Sequence, residues 1–85
     1  MRVSFTAKGW EDYVYWQKQD KKTLKRINLL INDIHRNPFD GIGKPEPLKY
    51  ELSDFWSRRI NDCDRIVYSI TNDEIIIHQC RFHYK

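Results

Sequence analysis

Eighty-five residues of 10.4 kDa are enough for one compact domain and too few for two. A 40% hydrophobic share, with aromatics at 14%, excludes a disordered chain, while 32% charged residues and a mean hydropathy of −0.78 leave no apolar run near the roughly 20 residues of a membrane helix. Fifteen basic residues against twelve acidic ones give a net charge of +3, which points weakly to a polyanionic partner, with the excess in the front half of the chain.

Val3 and Phe5 alternate with Arg2 and Ser4, predicting a short first strand with one buried face. Thr6 is placed to cap a helix over Ala7 to Gln19, where Trp10, Tyr13, Val14 and Trp16 recur near helical spacing and read as core, although Gly9 weakens the first turn. Asp20 caps a second helix. Its Leu24, Ile27, Ile31 and Ile34, spaced three, four and three apart and widened by Leu30, should pack on a sheet until Asn37-Pro38 ends the pattern. The Gly/Pro-dense stretch Pro38 to Pro47 reads as a loop inside one domain covering 1–85.

The back half changes period. Phe55 to Ile60, Arg65 to Thr71 and Ile75 to His83 are rich in β-branched and aromatic residues and are separated by turn-forming Asn61 to Asp64 and Thr71 to Glu74. They predict an antiparallel meander, and with the two helices on one face an α+β sandwich of two layers whose other face is open. Side chains alternate along a strand, so Ile66, Tyr68 and Ile70 should face the helices and Arg65, Val67 and Ser69 the open side. The same alternation, if no bulge intervenes, buries Ile76, Cys80 and Phe82 with His78 between them, and turns Gln79, Arg81 and His83 outward. Trp56 and Ile60 likewise leave Ser57 and Arg59 open. Arg59, Arg65, Arg81 and His83 are thereby expected on one cationic surface suited to a phosphodiester.

Cleaving RNA by acid/base chemistry needs a base for the 2'-hydroxyl proton, an acid for the leaving 5'-oxygen and cations near the phosphate. Glu46, between Pro45 and Pro47 and flanked by Lys44 and Lys49, is a candidate base and equally an exposed loop carboxylate. His83 is a candidate acid because imidazole titrates near neutrality, or else a solvated terminal histidine. Tyr84 could stack on a base or cover the core edge, and Arg59 and Arg65 could hold a phosphate or pair with nearby carboxylates. His78, Cys80, Cys63 and His35 match no structural zinc spacing, so no metal or other cofactor is expected. The Lys18, Lys21, Lys22, Lys25, Arg26 run reads as a solvated face. Lys8, Glu11 and Asp12 interrupt the N-terminus where a secretion signal would be apolar, so a cytosolic protein with two free thiols is expected.

The segments KPEPLK, FWSRRI, DRIVYSI and CRFHY, in this order, together with WEDYVYW and PFDGIGKPEPLK, resemble the Txe/YoeB family of RelE-type bacterial toxins from end to end. The resemblance implies a microbial-ribonuclease-like (RelE-like) fold and a ribosome-dependent endoribonuclease that cuts messenger RNA in the A site, leaving a 2',3'-cyclic phosphate. It further implies an antitoxin of the YefM type, contact with operator DNA only through the antitoxin complex, and often a homodimer. Carried over by motif, Glu46 resembles the general base, His83 the general acid and Arg65 the cation facing the reacting phosphate. Lys49 and Arg59 match substrate-phosphate positions, and Tyr84 the terminal aromatic. Phe82 stands where a tyrosine is common, and Lys85 extends past that aromatic. The rival expectation is a non-catalytic RNA- or ribosome-binding blocker using the same cationic face.

Overall fold

The computed structural model describes residues 1–83. The elements run β1 (Arg2–Phe5), α1 (Ala7–Gln19), α2 (Lys21–Arg36), β2 (Glu46–Pro47), a 3-10 turn (Tyr50–Leu52), β3 (Trp56–Arg59), β4 (Arg65–Thr71) and β5 (Glu74–Gln79). They form one sheet in the order β1-β5-β4-β3-β2, antiparallel except where β1 runs parallel to β5. The fold is α+β, as expected, and the sheet is wider than the meander by two edge strands.

Both helices begin where side-chain oxygens stand ready for orphan N–H groups. The Thr6 hydroxyl accepts from Gly9 N (3.1 Å), and Asp20 accepts from Lys22 N and Thr23 N. Hydrogen bonds from Thr23, first through its hydroxyl, hold the Asp20 carboxyl below the usual range. Helix α2 places Ile27, Leu30 and Ile34 fully out of solvent against Ile66, Tyr68, Ile75 and Ile77 of the sheet. Each such isoleucine or leucine contributes roughly 1.5–3 kcal/mol of burial. Ile31 covers the flank.

Several expectations change. Trp10 is 52% exposed and stacks on Tyr13, and Val3 is also exposed, so of the side of β1 that Val3 and Phe5 share only Phe5 packs against the core. Gly9, a poor helix former, is where α1 comes close to the backbone of Ile77 in β5. The stretch 38–47 is not all loop, because Glu46 and Pro47 pair with Ser57 and Trp56 as an edge strand, the place where a sheet tolerates proline.

The largest revision lies in β5. Ile75 and Ile77 are the buried pair, and Ile76 and His78 point to the other face. Opposite Val67 and Tyr68 the register slips: Tyr68 pairs with Ile77 and Val67 with Gln79, leaving His78 as the extra residue of a bulge. The bulge resets the alternation, so Cys80 is again buried. Phe82, expected inside, is 57% exposed with φ of +64°, beyond the end of the strand.

Candidate active site

In an antiparallel pair, opposed residues share a face. Glu46 lies opposite Ser57, Ser57 opposite Val67, and Arg59 opposite Arg65. Three strands therefore set the carboxylate, a hydroxyl and two guanidinium groups on the side of the sheet away from the helices. A pocket of about 160 Å³ opens there, lined by Lys44, Glu46, Ser57, Arg59, Arg65 and His83. It is smaller than the roughly 300 Å³ of an ordinary small-molecule site, a size suited to one phosphodiester.

Arg65 is nearly buried, and its Nη1 donates to the carbonyls of Asn61 (2.7 Å) and Asp64 (3.1 Å). Its orientation is thus fixed by the turn that precedes it. Arg59 is held through its backbone: its N–H donates to Gly43 O (2.7 Å) and its carbonyl accepts from Arg26 Nη2 (3.3 Å), while the side chain remains exposed. Glu46 is exposed at the pocket edge.

The loop that leads to Glu46 is organised from inside by Arg58, which the alternation of Trp56 and Ile60 places on the core side of β3. Arg58 is fully buried and spends all five N–H donors: Nε on Tyr68 Oη, Nη1 on Asp33 Oδ2 (2.6 Å) and Ile42 O, and Nη2 on Asn37 O and Asp40 O. Tyr68 Oη passes the network on to Pro38 O (2.7 Å). Burial raises the Tyr68 phenol above its ordinary value, so it stays a neutral donor.

His83 reaches the pocket by a different route from the arginines, since β5 ends at Gln79. The segment after it is tethered residue by residue. Asp12 Oδ2 accepts from Cys80 N (3.0 Å), and Trp16 Nε1 donates to Cys80 O (2.7 Å). Asp64 Oδ1 accepts from Phe82 N (2.6 Å), and Arg65 N donates to Phe82 O (3.0 Å). Asp12 is almost wholly buried and its other oxygen takes Lys8 Nζ at 2.6 Å, a compensation that a buried carboxylate needs. Burial, with the Asp12 charge adding to it, pushes the Cys80 thiol up to about 12.

Not every expected residue joins this site. Arg81 lies over the Tyr15 ring at 3.5 Å and lines a separate hollow of about 450 Å³ with Lys8, Gln79, Phe82 and His83, so the imidazole borders both spaces. Arg81 lies beyond the end of β5, stacks on Tyr15 of α1, and is absent from the pocket that Arg59 and Arg65 line. Lys49 opens the 3-10 turn and is absent from the pocket lining, where Lys44 stands instead. Tyr84 lies outside the described residues. The face beyond the pocket is not open either: His78 stacks on Phe55 at 4.2 Å between centroids and contacts Ser69 Oγ at 2.8 Å. Burial pushes the His78 imidazole down, toward the neutral form. Among the described residues no three of His, Cys, Asp or Glu gather as metal ligands, and no helix is long and apolar enough to cross a membrane.

Residues 5–84 match the family model described as "YoeB-like toxin of bacterial type II toxin-antitoxin system". The chain is similar to "Toxin YoeB" of Streptomyces coelicolor, with 60% identity over 99% of this chain and all of that one. Among solved structures, a "YoeB/ParE toxin from Agrobacterium tumefaciens" superposes with a TM-score of 0.97 at 43% identity, over 99% of this chain and 100% of that one. A Staphylococcus aureus heterotetrameric YoeB-YefM toxin-antitoxin complex contains a chain of TM-score 0.91 and 45% identity, covering 99% of this chain and 98% of that one.

Proposed function

The chain belongs to the YoeB-like toxins of bacterial type II toxin-antitoxin systems, and from that premise we propose that it is an endoribonuclease that cuts messenger RNA in the ribosomal A site without a metal ion. What carries the reading is that Glu46 and His83, a carboxylate and an imidazole, line one pocket with Arg59 and Arg65. In the proposed step Glu46 takes the 2'-hydroxyl proton, the 2'-oxygen attacks the adjacent phosphorus, and the bond to the 5'-oxygen breaks. His83 protonates that leaving oxygen, so the products are a 2',3'-cyclic phosphate and a free 5'-hydroxyl. Charge builds on the phosphate oxygens along the way. A guanidinium already fixed by two carbonyls, as in Arg65, meets that charge without reorganising. Arg59 holds the substrate phosphate, and Lys49 and Tyr84 are assigned to substrate binding on the family motif alone.

We place the whole stretch 1–85 in one toxin domain working in the cytosol. Its partner is an antitoxin of the YefM type, a reading supported by the heterotetrameric relative, with operator DNA bound only through that complex; the toxin itself forms a homodimer, a reading supported by a relative described as a YoeB dimer from Staphylococcus aureus.

The test is end mapping of messages translated with the purified protein, stripped of metal by EDTA and desalted beforehand so that the ribosomes keep their Mg2+. New 2',3'-cyclic termini inside the reading frame are expected at undiminished rate. Arrest with intact message would make the protein a blocker that acts by occupancy, and loss of cutting by the stripped protein, restored when a divalent metal is returned to it, would end the metal-independent mechanism.

A further inference from the structure

We infer that Asp64 is a positioning residue for His83, an inference that rests on the endoribonuclease reading above. The sheet itself does not carry the imidazole, because the β5 ladder stops at Gln79. Phe82, the residue before His83, has a left-handed backbone (φ +64°), a conformation that costs a bulky side chain on the order of 1–3 kcal/mol and persists only when its surroundings impose it. The Phe82 side chain is more than half exposed, so core packing does not impose it. Two hydrogen bonds do. The Asp64 carboxylate takes the Phe82 N–H at 2.6 Å, and the next backbone N–H, that of Arg65, donates to the Phe82 carbonyl at 3.0 Å.

The same turn orients the cation. Asn61 Oδ1 accepts from the N–H groups of Cys63 and Asp64 and so shapes the turn, whose Asn61 and Asp64 carbonyls receive Arg65 Nη1. One short segment thus fixes the guanidinium through its carbonyl oxygens and the tail through its carboxylate. Asp64 is itself 9% exposed and touches neither RNA nor the reacting atoms in the proposed step. Its effect on the reaction is therefore expected to pass through the imidazole.

The experiment compares Asp64→Ala, Asp64→Asn and Asp64→Glu, each with and without His83→Gln, in single-turnover cleavage of ribosome-bound message. Asp64→Ala should lower kcat by about 10- to 100-fold with KM changed little, the scale of an angstrom of misplacement. Asp64→Asn, which keeps an acceptor oxygen, should retain most activity. Asp64→Glu, which keeps the charge but moves the acceptor, should fall between them and serves if the alanine variant does not fold. In the His83→Gln background none of the three should lower the remaining rate further. An equal loss with and without His83 would overturn the inference. Imidazole NMR supplies an arm independent of cleavage: in Asp64→Ala or Asp64→Glu the His83 ring signals should move while those of His35 stay. Unmoved His83 signals would overturn the positioning role even in an active enzyme. A wild-type protein that cuts no RNA but shows the shift would instead overturn only the endoribonuclease reading.

Discussion

Gly9 of α1 lies so close to Ile77 of β5 that a Cβ added to it would sit 2.3 Å from the Ile77 carbonyl oxygen and 3.0 Å from its carbon. On a free helix, replacing glycine by alanine gains about 1 kcal/mol. Here the new methyl would meet backbone that cannot swing aside, so Gly9→Ala is expected to cost about 1–3 kcal/mol. In a chain of this length that corresponds to a fall in melting temperature of roughly 4–8 °C per kcal/mol, read by circular dichroism. A higher melting point would mean that α1 lifts from the sheet at no cost.

His83→Gln should slow cleavage by about 100-fold with a much smaller effect on RNA affinity, because it removes the proton donor while Arg59 and Arg65 still line the phosphate pocket. Arg65→Ala should likewise cost more in kcat than in binding, since it faces charge that develops during the reaction. Single-turnover rates and filter binding separate the two quantities. A pure affinity defect would recast Arg65 as a clamp.

The hydrogen bond from Arg58, with a second from Ile42 N, holds the Asp33 carboxyl below the usual carboxylate range. A folded value below the unfolded one stabilises the protein above about pH 4, and that stabilisation is lost as the pH falls through the lowered folded value. Asp33→Asn should therefore be less stable than the wild type at pH 7, with the gap closing toward pH 2. Urea midpoints across that range measure it, and a constant gap would assign the defect to packing.

Cys63 is exposed, and Cys80 is buried with its thiol pushed up to about 12. Iodoacetamide at pH 8 should alkylate the native protein once, at Cys63, and twice only in urea. Peptide mass spectrometry reads the site, and modification of Cys80 in the native state would show that the tail opens readily.

The helices were legible because their stripes and caps are local: Asp20 and the Ile27, Leu30, Ile34 face follow from spacing alone. In β4 the helix-facing set Ile66, Tyr68 and Ile70 was legible, but Arg65, Val67 and Ser69, expected on an open side, are buried as well. In β5 three consecutive isoleucines carry no alternation, and the choice of buried face fell on Ile76 where the structure buries Ile75 and Ile77. The bulge at His78 then restored the parity for Gln79 and Cys80, and nothing in a single sequence announces such a slip. Arg58 was hidden for another reason. A guanidinium goes inside only when its acceptors are supplied, and four of its five come from Asp33, Asn37, Asp40 and Ile42, remote in sequence. Asp12 left a fainter trace, since Gly9, Asp12 and Trp16 sit three and four apart on the side of α1 that meets β5 and the tail. Glu46 and His83 were eligible by chemistry and by motif, yet an edge strand and a tethered tail, not strand alternation along β5, bring them to one pocket.

Because β1 pairs, among the described residues, with β5 alone, Arg2 waits for Glu74 and Phe5 for Ile77. Closing a loop of that span is an entropic toll met before any contact rewards it, so the β1–β5 pairing is expected to form late, after the local β3–β4–β5 meander. Until it does, the indole and phenol rings of α1 have no floor beneath them, and a ribosome-bound fragment that has not yet delivered β5 is exposed to wrong associations.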